Sequence, residues 1–136
     1  MWKMIAVFLG LAASVHAEPS RPEVSWVVDQ DGIPVIAQVW ANSSRQLGFT
    51  WRLMSTAGEN LAEMPEPVLT PGYEYSYGEC TVDGKLRTDL IAEVKNQASS
   101  PTSIAVKRVW AADPANRSFK ISPPEPIVCY NSDYGF

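Results

Sequence analysis

The sequence predicts an all-β fold, an antiparallel β-sandwich of about seven or eight short strands with one disulfide. Apolar and polar residues alternate over short runs, as in Leu47 to Leu53, and this is the period of a half-buried strand. Gly, Pro, Asn and Asp residues separate these runs at short intervals, as turns do. Two cysteines follow an export signal, and an even pair in an exported chain favours a disulfide over free thiols.

The N-terminus has the features of a cleavable secretory signal that covers residues 1–17. Lys3 provides the positive start, Ile5 to Ala13 is a short apolar run, and Val15-His16-Ala17 provides a small-residue cleavage site. The run is too short for a transmembrane helix. We therefore expect residues 18–136 to form a single β-sandwich domain that is secreted, and that is extracellular or, in a bacterial host, periplasmic.

Three strands are predicted in the first part of the mature chain. Val24 to Asp29 alternates apolar and polar residues, and the turn Gln30-Asp31-Gly32 leads back into a second strand, Ile33 to Trp40. Leu47 to Leu53 is the third strand, with its odd-numbered apolar residues on one face.

The segment from Ser55 to Gly72 is predicted to be a long loop, because it contains Gly58 and three prolines and shows little periodicity. A short helical turn is predicted around Glu59 to Met64. Loops of this length in a compact domain are often functional, and recognition residues commonly lie on loops of a rigid scaffold.

The next strand is predicted over Tyr73 to Val82, and Asp83-Gly84 after it is a hairpin signal. Lys85 to Lys95 fits either a strand or a helix that Thr88 would cap. We favour the strand, because the preceding turn implies a returning partner.

The last part of the chain contains three more predicted strands, Ser103 to Trp110, Arg117 to Ile121 and Ile127 to Tyr130. We expect Cys80 and Cys129 to be bonded to each other. The bond would close a loop of about 50 residues, which contributes on the order of 4 kcal/mol in the chain-entropy description.

Composition excludes several classes of function. Cleavage of the signal removes His16, the one histidine, so the mature chain has no Ser-His-Asp or Cys-His catalytic group. Two cysteines without histidine also exclude the usual zinc sites, and we expect no cofactor. The chain has 11 Lys and Arg against 15 Asp and Glu, and an acidic surface disfavours nucleic acid as a partner. A pair of carboxylates could still hydrolyse a sugar, so a small carboxylate-dependent hydrolase stays open as a third alternative.

The candidate binding residues are tyrosines and glutamates around the predicted loop. Tyr73, Tyr75 and Tyr77 share one face of a strand, and Glu63 and Glu66 lie in the loop before it. Tyrosine suits wet interfaces, because a large apolar ring carries a polar tip. The competing interpretation is cross-strand packing inside the sandwich, which is the more frequent role of such a stripe.

One ordered set of residues resembles the aegerolysins, small acidic Trp-rich β-sandwich proteins that bind particular membrane lipids. The set is Asn42-x-Ser44, Leu47, Trp51, Gly58-Glu59, Pro67, Leu69-x-Pro71-Gly72, Gly78, Gly84, Asn116 and Phe119. The resemblance covers about 80 residues. It implies a β-sandwich in which Trp and Tyr side chains at one end recognise a membrane lipid.

We expect a secreted, non-enzymatic module that binds a protein, such as an enzyme that it inhibits or a toxin that it neutralises. A lipid-binding, aegerolysin-like module is the alternative. A protruding loop at Ser55 to Gly72 would favour the protein partner, and surface aromatic residues at one end of the sandwich would favour lipid. Two convergent carboxylates in a pocket would favour the hydrolase.

Overall fold

The computed structural model describes residues 21–29, 32–43, 47–95, 100–103, 105–122 and 126–131. The predicted signal peptide and its cleavage site, and most of the first predicted turn, lie outside these ranges. Every regular element within them is a strand. The strands are β1 (Val24–Val28), β2 (Val35–Ala41), β3 (Phe49–Ser55), β4 (Asn60–Pro65), β5 (Tyr73–Tyr77), β6 (Cys80–Val82), β7 (Lys85–Arg87), β8 (Leu90–Lys95), β9 (Thr102–Ser103), β10 (Val106–Asp113), β11 (Ser118–Ile121) and β12 (Ile127–Tyr130).

The strands form three antiparallel sheets of four strands each, which confirms the predicted all-β, antiparallel class. The first sheet has the order β1-β2-β3-β4, the second β11-β10-β8-β5 and the third β7-β6-β12-β9. Within the described part of the chain, no helix is long and apolar enough to cross a membrane.

The second sheet is the middle layer of the sandwich. In β8, Leu90, Ala92 and Val94 pack with the third sheet in one core cluster. Ile91 points the other way and packs with Trp51 of the first sheet. Both faces of β8 are therefore covered, which explains five consecutive buried residues in this strand.

Cys80 and Cys129 form the predicted disulfide, which joins directly opposed residues of β6 and β12. Both cysteines are completely buried in the cluster between the second and third sheets. The bond is consistent with an oxidising, extracellular environment.

The described chain contains twelve strands rather than the seven or eight predicted, because three predicted strands are each divided in two and β4 was not predicted. Tyr73 to Val82 forms β5 and β6, which belong to different sheets and are separated at Gly78 and Glu79. Lys85 to Lys95 is extended, as favoured over the helix, but forms β7 and β8. The predicted strand that starts at Ser103 is divided between β9 and β10.

The prediction of a long loop at Ser55 to Gly72, with a helical turn at Glu59 to Met64, is wrong for its first half. That half is a hairpin in which β4 pairs with β3. Gly58 makes the turn with a φ of 91°, and the Ser55 hydroxyl accepts hydrogen bonds from the amides that follow. The pairing of β3 with β4 contains a register shift, which interrupts the two-residue period of β4. The sequence of β4 therefore lacks the clear alternation that predicts a strand.

Gly78 divides β5 from β6 and packs against a tryptophan. Its φ is 68°, and a Cβ atom there would lie 2.6 Å from Cδ1 and Nε1 of Trp26. The same indole nitrogen donates a hydrogen bond of 2.8 Å to the Thr88 carbonyl oxygen, so the ring is held in place. The chain switches sheets here because only glycine fits both the dihedral angle and the contact.

We expect Gly78→Ala to lower the free energy of unfolding by about 2 kcal/mol, from the left-handed backbone and the displaced indole. Gly84→Ala is the matched control, since Gly84 has a φ of 80° and a Cβ atom there would meet nothing within 4 Å. Urea unfolding of both variants measures the difference. Equal losses for the two variants would contradict a role for the Trp26 contact.

Candidate functional site

The predicted tyrosines lie on the side of the second sheet that faces the first sheet. The Tyr75 ring lies edge-on to Trp51, with centroids 5.4 Å apart, and the Tyr77 ring lies 5.5 Å from Trp26. Tyr73 is half-buried, and the Lys107 ammonium group lies 5.8 Å from its ring centroid. Tyr75 and Tyr77 thus take part in packing between the sheets, while parts of both rings stay accessible.

Residues 66–72, here called the connecting segment, join the first sheet to the second and are held by side chains of both. Trp51 Nε1 and the Tyr77 hydroxyl donate hydrogen bonds of 2.8 and 2.6 Å to the same carboxylate oxygen of Glu66. The Tyr75 hydroxyl donates to the Pro67 carbonyl oxygen. The predicted residues Glu66, Tyr75 and Tyr77 are therefore brought together, around the start of this segment.

These contacts keep both phenols protonated. Burial, followed by the negative charge of Glu66, raises the pKa of Tyr75 to about 12. Burial and the hydrogen bond to Glu66 raise the pKa of Tyr77 even further. Both hydroxyls consequently remain hydrogen-bond donors in the alkaline range in which an ordinary tyrosine ionises.

An ion pair between a half-exposed arginine and a buried carboxylate holds the second half of the connecting segment. Glu93 of β8 is completely buried and accepts bonds of 2.6 and 3.0 Å from Arg108 of β10. The Thr70 amide donates to the same carboxylate at 2.7 Å, and Arg108 donates to the Val68 carbonyl oxygen at 2.8 Å. The arginine, together with the Thr70 amide, lowers the pKa of Glu93 to about 2 against the opposing effect of burial.

Glu63 lies apart from the tyrosines. Its neighbours on β4, Ala62 and Met64, pack towards the second sheet, so Glu63 faces outward from the first sheet. There its carboxylate accepts a 3.1 Å bond from Asn60 and pairs with Arg52 at 3.3 Å. The hydrogen bond from Asn60, followed by that from Arg52, lowers its pKa. The structure does not bring Glu63 into the group formed by Glu66, Tyr75 and Tyr77.

A groove of about 500 Å³ opens between β1 of the first sheet and β5 of the second. Its lining residues are Val24, Ser25, Trp26, Tyr75, Tyr77, Gly78 and Glu79. The two tyrosines were predicted, whereas the β1 residues and Glu79 were not. The alternation in Val24 to Val28 indicates a buried face, but only the fold shows that this face borders β5.

A second cavity, of about 310 Å³, lies among turn residues and is mainly apolar. Its lining residues are Ile33, Pro34, Val35, Ser55, Thr56, Leu61, Pro114 and Ala115. Neither this cavity nor the groove brings two carboxylates together. In the described ranges, no group of three or more His, Cys, Asp or Glu side chains could hold a metal ion.

The described tryptophans are mostly enclosed by the fold. Trp51 and Trp110 are buried between the first and second sheets, and Trp26 is half-buried beside them. Trp40 lies on the outer face of the first sheet, where the Arg52 guanidinium stacks 4.9 Å from its ring centroid. In the described part of the chain, the tryptophans do not form a projecting group at one end of the sandwich. The resemblance to aegerolysins stays a prediction.

The chain was compared with known proteins in three ways. A scan against protein-family models found no match. A search of curated proteins and a search of solved structures also found none.

Proposed function

We propose that the chain is a secreted, non-enzymatic module that binds a partner protein in the groove between β1 and β5. The observation that carries this proposal is the groove itself, an accessible volume of about 500 Å³ with one tryptophan and two tyrosines in its walls. Aromatic side chains dominate the central contacts of protein interfaces, because they bury large apolar areas.

The walls of the groove are fixed before any partner arrives. The hydroxyls of Tyr75 and Tyr77 are bound to the connecting segment, and Trp26 is bound to the Thr88 carbonyl oxygen. A site with ordered side chains loses little conformational entropy when a partner binds. Such preorganisation favours the tight binding that an inhibitor or a toxin-neutralising protein would use.

Two features favour a protein over the lipid alternative. The aromatic rings of the groove lie between two sheets, whereas interfacial anchors project into the headgroup region. The net charge of −4 also works against anionic headgroups. The absence of histidine after signal cleavage supports the non-enzymatic part of the proposal.

The test uses the exported protein and variants of the groove. We expect wild-type protein to capture a stoichiometric partner from the exported fraction. Val24→Arg places a charge in the groove, and Glu79→Lys reverses an exposed charge at its border. Each should weaken affinity about tenfold or more, as at an interface hot spot. The control is Ile121→Arg, whose site is 75% exposed on β11, at the opposite edge of the second sheet.

Melting curves of each variant show whether the fold is intact, and Glu79→Lys keeps the test valid if Val24→Arg unfolds. Partner binding that survives both groove variants would overturn the proposed site. Binding to vesicles of phosphatidylcholine and sphingomyelin, lost in Val24→Arg and kept in Ile121→Arg, would overturn the proposal in favour of lipid.

A further inference from the structure

We propose that the groove binds an extended segment of the partner protein, which adds as a strand to the free edge of β5. This inference rests on the proposed function and specifies its mode of binding. In the part of the chain that the structure describes, β5 is the last strand of the second sheet and pairs with β8 on one side only. The backbone groups on its other side are available to a further strand.

The register identifies those backbone groups. The Gly78 amide donates a hydrogen bond of 2.9 Å to the Leu90 carbonyl oxygen. In an antiparallel pair every second residue bonds to the neighbouring strand, so Ser76 and Glu74 are the next residues of β5 that bond to β8. Tyr75 and Tyr77 alternate with them, and their amides and carbonyls point away from β8. In the described ranges, no residue bonds to these four groups. The open stretch begins after Tyr73, whose amide donates to the Thr70 carbonyl oxygen at 3.0 Å.

The groove gives an added strand its side-chain contacts. A strand next to β5 lies about 4.8 Å from it, and its side chains point alternately to the two faces of the sheet. Those on the inner face would meet Val24 and Trp26 across the groove. We therefore expect the partner segment to carry apolar or aromatic residues at alternate positions.

The edge of β5 lacks three of the features that block strand pairing, namely proline, lysine and a bulge. Proline, lysine and bulges protect exposed edges in many β-proteins, whereas Tyr73–Tyr77 contains no proline or lysine and pairs with β8 without a register shift. Its one charged residue, Glu74, alternates with the tyrosines and so lies on the opposite face of the sheet from the groove.

Charge identifies the occupant as a basic partner segment rather than a second copy of this chain. Glu79 is exposed at the C-terminal end of β5 and borders the groove. A segment that runs antiparallel to β5 begins at this end, so we expect Lys or Arg near its N-terminus. The β5 strand of a second copy contains Glu74 and no Lys or Arg, so it lacks the basic residue that would complement Glu79.

The test uses peptides, so that it does not depend on the natural partner. A phage library of random eight-residue peptides is selected on wild-type protein and counter-selected on Glu79→Lys and Val24→Arg. Amide hydrogen exchange is then measured with and without a selected synthetic peptide. We expect exchange at Tyr75 and Tyr77 to slow about tenfold or more, since both amides gain a partner. The amides of Glu74 and Ser76 already bond to β8 and serve as internal controls.

N-methylation of the peptide gives the complementary result. Methyl groups at alternate amides, those that face β5, should abolish binding, and methyl groups at the amides between them should be tolerated. Equal sensitivity at all positions, with unchanged exchange at Tyr75 and Tyr77, would overturn strand addition and leave the proposed function standing. Selection that yields no groove-dependent peptide would contradict both. A third outcome is that the Tyr75 and Tyr77 amides exchange slowly without peptide and that the protein sediments as a dimer. This outcome would assign the edge of β5 to a second copy of the chain and overturn the proposal.

Discussion

Replacing Arg108 with methionine is expected to lower the free energy of unfolding by about 3–5 kcal/mol. The change leaves Glu93 completely buried, with its charge no longer balanced by the guanidinium and the Thr70 amide still donating to it. It also removes the bond that holds the Val68 carbonyl oxygen, so the connecting segment loses a direct attachment to β10. Urea unfolding at pH 7 gives the size of the loss.

The double variant Glu93→Gln with Arg108→Met separates the charge from the packing. Glutamine keeps an acceptor for the Thr70 amide but carries no charge, so this variant should recover much of the lost stability. Conversely, a double variant as unstable as Arg108→Met would show that the uncompensated carboxylate is not the cause.

The pH dependence of stability should distinguish the same variants. In the folded wild-type protein the pKa of Glu93 is about 2, below its ordinary value of 4.5. A lowered pKa stabilises the fold fully above pH 4.5, and this contribution is lost as the pH falls through 2. Without Arg108, the largest effect that lowers the pKa of Glu93 is removed, so this pKa rises. Acid should therefore narrow the difference in unfolding free energy between Arg108→Met and wild type.

The strands that could be predicted are those whose pattern is local. Leu47 to Leu53 alternates cleanly, and Trp51 and Leu53 are completely buried as the pattern implies. The predicted start of this strand at Leu47 is wrong, because β3 begins at Phe49 and Leu47 is exposed. Alternation identifies an inner face, but it does not show where pairing with the next strand begins.

The division of predicted strands between sheets depends on contacts that no local pattern contains. Tyr73 to Val82 is a continuous β-type sequence, and the change of sheet occurs at Gly78, where Trp26 from a distant strand occupies the space of a side chain. The middle position of the second sheet is likewise a property of the assembled fold. It explains why Lys85 to Lys95 fitted both a helix and a strand, since β8 is apolar on both faces.

The candidate site was predictable in part. Tyr75 and Tyr77 stand out by spacing, and Glu66 lies in the segment singled out beside them. Their hydrogen bonds depend on how the connecting segment crosses from the first sheet to the second, and sequence spacing does not determine this path. The β1 wall of the groove comes from a strand about 50 residues earlier in the chain, and sheet order alone places it there.

The second large effect is expected at the disulfide. The double variant Cys80→Ala with Cys129→Ala should lose about 2–5 kcal/mol of unfolding free energy. The bond spans 49 residues and encloses β8 and β10, the two central strands of the middle sheet. Breaking it enlarges the unfolded ensemble of the segment that contains the core residues Leu90, Ile91, Ala92 and Val94.

Wild-type protein unfolded with and without a reductant is the matched control, because reduction removes the bond and keeps both sulfur atoms. In both comparisons the unfolding free energy should also fall more steeply with urea concentration when the bond is absent, since the unfolded chain then exposes more surface. If reduction alone reproduces the loss, the bond acts through the unfolded chain. A loss that appears only in the alanine variant would assign it to packing of the two buried side chains, and a change below about 1 kcal/mol in both would contradict a stabilising disulfide.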